Sequence, residues 1–315
     1  MPTQPSCTRV YRNHHLDSRR WQQVTFRPDD ILISTSYKAG TTWMQRIVSL
    51  LLFGPKPLPA PLFQLSPWID ARLSPVPLEQ IVAGIEAQQH RRFLKSHLPL
   101  DGLPWDSRVK YVVVGRDGRD VFMSLFNHYG AYTDLAYQLF NSGADFDGEP
   151  LPRCPEDIHV LFDGWVHRGW FPWEKDGWPM WSHLHHAQSF WEHRKQPNIY
   201  FVHYADLKAD LEGEMRRLAK FLGITVHDGD WPTLVQKATF AAMREEAIAA
   251  EDPSQAGIFA GGQARFFFKG TNDRWRDVLT KAELVEYDKA VSRTLTADCA
   301  AWLERGRRAG DPATM

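Results

Sequence analysis

The chain has 315 residues, 43% apolar and 24% charged, enough to bury a large core as an ordinary folded protein. Its 37 Lys and Arg nearly balance 38 Asp and Glu, which argues against dedicated nucleic-acid binding, where a basic excess is the rule. Any anion site must therefore be local.

The opening segment, MPTQPSCTRVYRNHH, has no apolar run of the kind that marks a secretory signal. Ile31–Ser34 reads as a first strand, and Thr42–Phe53 as a helix that follows it after a tight Gly-containing turn. The longest apolar stretch, around Ile47–Phe53, is too short to cross a bilayer, so no membrane partner is expected. Pro55–Pro77 reads as an excursion over one face. Arg92–Lys95 and Val109–Val114 are the next strands, the latter β-branched and nearly continuous, as for a strand buried on both faces of a parallel sheet. A helix over Gly118–His128 and a Gly/Pro-rich excursion over Gly143–Pro155 follow. The aromatic stretch Trp165–Trp191 is read as a hydrophobic small-molecule pocket rather than plain core. Ile199–His203 is the fourth strand. Leu207–Leu222 is a helix with Leu211, Met215, Leu218 and Leu222 on its apolar side and Gly223 as its stop. Cys7, Cys154 and Cys299 are too scattered for a disulfide framework, which fits a reducing, cytoplasmic location.

Strand–helix–strand alternation predicts an α/β fold, with a central parallel sheet flanked by helices and residues 1–315 as a single domain. Ligands of such sheets bind beyond the carboxyl ends of the strands, here just after Ser34, Lys95, Val114 and His203.

After Ser34 the chain supplies Lys38, Ala39, Gly40, Thr41 and Thr42 and then opens a helix. Gly40 lets the backbone approach a ligand, the helix start offers unpaired N–H groups, and Lys38 adds a cation. This is the physical recipe of a phosphate loop, although a plain βα turn with Thr caps has the same composition. The spacing of a nucleotide-triphosphate loop, G-x-x-x-x-G-K-[ST], is absent.

The whole segment Thr35–Trp43, TSYKAGTTW, is similar to the TYPKSGTTW signature of the PAPS-dependent cytosolic sulfotransferase family, in particular its bacterial members. Further segments match in family order. KSHLP at Lys95–Pro99 resembles KTHLP, and Tyr111–Tyr129 resembles the family's strand, Arg, helix and Ser segment. FVHYADLKAD at Phe201–Asp210 resembles LxYEDLKxD, and FKGTNDRW at Phe268–Trp275 resembles RKGxxGDW. The resemblance covers about residues 30 to 285 and implies a P-loop-kinase-like sulfotransferase fold.

It further implies PAPS as co-substrate, PAP as product and no metal. Lys38, Ala39, Gly40, Thr41 and Thr42 would hold the 5′-phosphosulfate. Trp43 would stack on the adenine with Phe240 opposite, and Tyr204 would touch its edge. Arg116, Ser124, Lys269 and Gly270 would hold the 3′-phosphate. His97 is the expected general base, Lys38 and Lys95 neutralise charge on the transferred group, and Ser124 completes the catalytic set. The acceptor is expected to be a small hydroxyl or amine compound, apolar or phenolic. Phe63, Trp68, His128, Tyr132 and Trp173 are candidates to line its pocket. His183, His185, His186 and His193 invite a metal assignment, but no Cys or acidic ligand stands at a zinc spacing.

Departures from the family pattern are local. Phe268 stands where the late loop should carry Arg, with Arg265 or Arg274 as candidate substitutes. The dimer motif KxxxTVxxxE is not matched at Arg276–Val285, which leaves the oligomeric state open. A non-catalytic PAP-binding member and a P-loop kinase are the rival readings; retention of Lys38, Lys95 and His97 argues against the first, and the missing triphosphate loop against the second.

Overall fold

Alternation of side chains along four short strands decides what each face of the sheet packs against. In the computed structural model, which describes residues 4–74, 76–142, 146–250, 257–262 and 269–315, the strands are β1 (Ile31–Thr35), β2 (Phe93–Ser96), β3 (Lys110–Gly115) and β4 (Ile199–His203). Leu32, Leu94, Tyr111, Val113 and Phe201 point into one core cluster. Ile33, Phe93, Val112, Val114 and Val202 point into the other, as a period of two demands.

All pairings are parallel, in the order β2-β1-β3-β4, with Ser34 beside Ser96 and Val113, and Gly115 beside His203. The carboxyl ends are therefore level. At the opposite end, buried Arg92 donates from Nε to Asp30 Oδ1 at 2.9 Å and ties β2 to β1. Breaking such a buried pair typically costs about 3–5 kcal/mol, because one charge is left unpaired.

Helices cover both faces. α1 (Thr41–Phe53) lies in the second cluster, and α2 (Gly118–Tyr129) follows β3 with Asp117 as its cap, accepting from the Arg119 amide. α3 (His183–Trp191) packs under the strand ends. The single helix expected over Leu207–Leu222 is two: α4 (Tyr204–Ala209) and α5 (Leu211–Leu222). Asp210 separates them, because its Oδ1 accepts the Gly213 amide at 2.9 Å and so caps the second helix. Among the described residues no helix is long and apolar enough to cross a membrane.

Candidate active site

β1 ends at Thr35, and Ser36–Gly40 turn the chain into α1. Gly40 has φ +116°, a region natural to glycine, and a Cβ there would stand 3.0 Å from the Tyr204 ring. Gly40→Ala is expected to cost about 1–3 kcal/mol of stability through this strain, read as a lowered melting temperature. Lys38 also has positive φ, +58°, which is uncommon for a side chain of its size. Tertiary contacts hold it there: Arg116 Nη1 donates to the Lys38 carbonyl at 3.1 Å. No side chain caps the start of α1, so its first-turn amides face the turn.

His97 follows β2 and reaches across to β1. Its Nδ1 lies 2.8 Å from the Thr35 carbonyl oxygen, which can only accept. Nδ1 therefore carries the proton and Nε2 keeps the lone pair. The His97 amide donates to Asp70 Oδ2 at 3.1 Å. Asp70 is buried and also accepts from the indoles of Trp21 and Trp68. Burial, then the neighbouring Lys95 charge, hold His97 well below the usual imidazole range. It is a neutral group among cations.

Those cations crowd one another. Burial first, then Arg116 and Lys95, bring Lys38 down to about 7. Burial lowers Lys95 to about 8, opposed by Asp70, and its ammonium sits 4.6 Å over the Trp68 ring. Lys38 Nζ lies 3.2 Å from His128 Nδ1. Arg116 is 6% exposed; its guanidinium lies 4.1 Å over Tyr204 and donates to Asn272 Oδ1 at 3.1 Å. Arg116 Nε is buried without a partner among the described residues. By electrostatics the arrangement favours an anion: positive charge is concentrated and a buried donor is unmet.

The remaining site residues surround it. Trp43 donates from Nε1 to the Ala238 carbonyl at 2.7 Å and meets Tyr204 edge-on at 5.1 Å. Phe240 packs over Gly270, where a Cβ would come within 2.8 Å of its ring. The Gly270 carbonyl accepts from Lys208 Nζ at 2.8 Å. Thr41 is buried and shares a hydrogen bond with Thr35; Ala39 is fully buried, Thr42 is partly exposed and Lys269 is exposed. Ser124 lies on α2 one turn beyond Asp120, partly exposed. Arg274 donates to the Met123 carbonyl at 3.1 Å, beside Ser124. Arg265 and Phe268 lie outside the described residues.

With this geometry in place, the sulfotransferase-domain family matches residues 28–298. The chain belongs to the sulfotransferase family. A glycolipid sulfotransferase of Mycobacterium tuberculosis is 37% identical over 317 residues, covering 96% of each chain. Rat sulfotransferase 1A1 is 28% identical and covers 88% of each. Among solved structures, mouse sulfotransferase SULT7A1 complexed with PAP has a TM-score of 0.65 at 17% identity, covering 90% of each chain. Retinol dehydratase in a complex with retinol and PAP has a TM-score of 0.66 at 22% identity, over 89% of this chain and 84% of that one. Both are likenesses of fold.

In this sulfotransferase the histidines of α3 brace the strand-end loops. His183 Nε2 donates to the Arg116 carbonyl at 2.9 Å, and its Nδ1 takes the Ser36 hydroxyl. Ser34 Oγ donates to the Leu98 carbonyl at 2.9 Å, so His186 Nε2, 3.0 Å away, must donate to Ser34. His185 pairs with Asp101, and His193 falls beyond the helix.

Two expectations fail. Most of Trp165–Trp191 is core: Trp165, Trp181 and Trp191 are each 1% exposed, and Trp165 Nε1 is spent on the Tyr37 hydroxyl at 2.8 Å. Trp173 packs against Tyr11 and Phe171, while Phe63 stands exposed. Trp68, His128 and Tyr132, three of the residues expected to line the pocket, form the aromatic wall near the cations, joined by Phe140 and Phe259. Asp70, Asn272 and Lys208 were not singled out in the sequence, because a lone polar residue carries no spacing signal of its own.

Proposed function

We propose that this sulfotransferase moves a sulfuryl group from PAPS to the hydroxyl of a small acceptor by in-line transfer, releasing PAP. The observation that carries the reading is the meeting of Lys38, Lys95 and Arg116 with a neutral His97 at the ends of β1, β2 and β3. Lys38 and the amides of Gly40–Thr42 bind the 5′-phosphosulfate. Arg116, through its unmet Nε, binds the 3′-phosphate with Ser124, Lys269 and Gly270, and Arg274 takes the place of the family Arg absent at Phe268. Trp43, Tyr204 and Phe240 hold the base.

His97 Nε2 takes the proton of the acceptor hydroxyl as its oxygen bonds to sulfur. The S–O bond to the 5′-phosphate breaks, and its electron pair stays on the phosphate oxygen, where Lys38 neutralises it. Lys95 holds the transferred oxygens. These cations supply the charge that phosphoryl-transfer enzymes take from Mg²⁺.

The aromatic wall supports an acceptor with an apolar body, whether phenolic or, as the relative's name has it, a glycolipid. Incubation of the pure protein with labelled PAPS, a phenol panel and a glycolipid tests the reading. PAP binding without transfer to any acceptor would favour a non-catalytic role.

Proton linkage gives a second test. Burial, Arg116 and Lys95 bring Lys38 down to about 7, and an anionic nucleotide must raise that value. PAP binding is therefore expected to take up protons above neutrality and to weaken by up to about tenfold per pH unit as pH rises from about 7. The phosphates of PAP, with second ionisations near about 6, contribute little there. Calorimetry in buffers of different ionisation enthalpy checks this; no proton uptake would remove Lys38 from the donor site.

A further inference from the structure

The hydroxyl of Tyr132, to which the chemistry above gives no role, ends a run of hydrogen bonds whose direction the backbone fixes. His14 Nε2 lies 2.9 Å from the Pro179 carbonyl oxygen, so this nitrogen carries the proton. Burial keeps His14 neutral, with its pKa pushed down to about 3, and its Nδ1 therefore holds a lone pair. His15 Nδ1 is hydrogen-bonded to that lone pair and must donate. His15 is also held neutral, by burial first and then by His14, His128, Arg72 and His97. Its Nε2 is left as an acceptor. The Tyr132 hydroxyl, 3.2 Å away, gives its hydrogen to His15 Nε2.

An unconstrained phenol offers either a hydrogen or a lone pair. This one offers lone pairs only. It also belongs to the wall of the reaction centre. The Tyr132 ring is 5.3 Å from His128, whose Nδ1 meets Lys38. The His15 ring is 6.3 Å from Trp181, which is 6.0 Å from His97. Around the hydroxyl the surfaces are apolar: Phe140 stacks on His15 at 3.9 Å, and Phe259 stands 5.6 Å from Tyr132. An oriented acceptor set among aromatic faces suits a molecule with apolar C–H faces and a hydroxyl to donate. A site built to take such a hydroxyl discriminates strongly against analogues that lack it.

Resting on the sulfotransfer reading above, we propose that Tyr132 is a specificity-determining residue that selects acceptors carrying a second hydroxyl besides the one sulfated, as a sugar headgroup does. His14 and His15 act through it as positioning residues.

Octyl glucoside below its micellar concentration and 1-octanol share an alkyl chain and a primary alcohol, and differ in the further hydroxyls. Wild-type protein is expected to prefer the glucoside. Tyr132→Phe removes one oxygen and is expected to lower kcat/KM for the glucoside about 10- to 100-fold more than for octanol, with PAP affinity unchanged. His15→Phe keeps that oxygen but releases its hydrogen, so the preference should shrink with PAP affinity again unchanged. Should Tyr132→Phe fail to bind PAP, His15→Phe carries the test. Equal wild-type turnover of both compounds, an equal fall for both in Tyr132→Phe, or an unaltered preference in both variants overturns the proposal. Wild-type protein that binds PAP yet sulfates neither compound overturns it alone. Absence of PAP binding overturns the sulfotransfer reading and the proposal with it.

Discussion

Replacing His97 by alanine is expected to lower sulfuryl transfer by about 10²–10⁴-fold, the usual worth of a general base, and to leave PAP affinity nearly intact. The geometry behind this is specific. The Thr35 carbonyl takes the Nδ1 proton at 2.8 Å, and Asp70 holds the His97 backbone at 3.1 Å, so only Nε2 is left for the acceptor. A base far below its ordinary pKa is a weak one, and burial with Lys95 and Lys38 puts His97 in that condition. Bound phosphosulfate offsets both lysine charges, so the imidazole should recover basicity when the donor is present. The acid limb of kcat, which reports the complex, should therefore lie at higher pH than the acid limb of kcat/KM for the donor, which reports free enzyme. Comparable turnover in His97→Ala would sink the base assignment. Coincident acid limbs would mean that the lysines do not set its basicity.

The parts of this site that were legible in the sequence are those that local chain physics writes down. Short apolar runs placed all four strands to within one residue, since a strand buried on both faces tolerates little else. Gly40 and the Thr pair marked the turn, because only glycine adopts its φ without strain. Leu207–Leu222 was misjudged as continuous because its apolar spacing runs on through Asp210, although Asp210 with acidic residues in the next turn is itself a start signal. Other features depend on contacts far apart in the chain. Asp70 reaches His97 from an excursion, Asn272 meets Arg116 across 156 positions, and His14 and His15 come from a segment before the first strand. The aromatic stretch misled for a related reason: composition says that Trp165 and Trp191 are large and apolar, but only packing says that they fill the core.

Lys38→Met is expected to lower kcat by about 10²–10³-fold and to weaken PAP binding as well, a larger combined loss than for any other single cation of the site. Methionine is a fair probe because it fills similar volume and bears the same backbone demand at φ +58°, so the loss reads the ammonium and not the turn. Lys95 cannot take over. It projects from β2 and is held over Trp68 at 4.6 Å, with Asp70 as its charge partner. Lys38→Arg should not restore the rate either, since the planar fork is bulkier and Arg116 already crowds the position from the Lys38 carbonyl at 3.1 Å. Removing the Lys38 charge also withdraws one of the charges that depress His97 and His128. In Lys38→Met the acid limb of kcat/KM should therefore move to higher pH as His97 recovers part of its basicity. The proton uptake that accompanies PAP binding above neutrality should fall at the same time. A variant that loses donor affinity but keeps wild-type kcat would make Lys38 a binding residue alone, and charge on the leaving phosphate would then have to be met by the α1 amides.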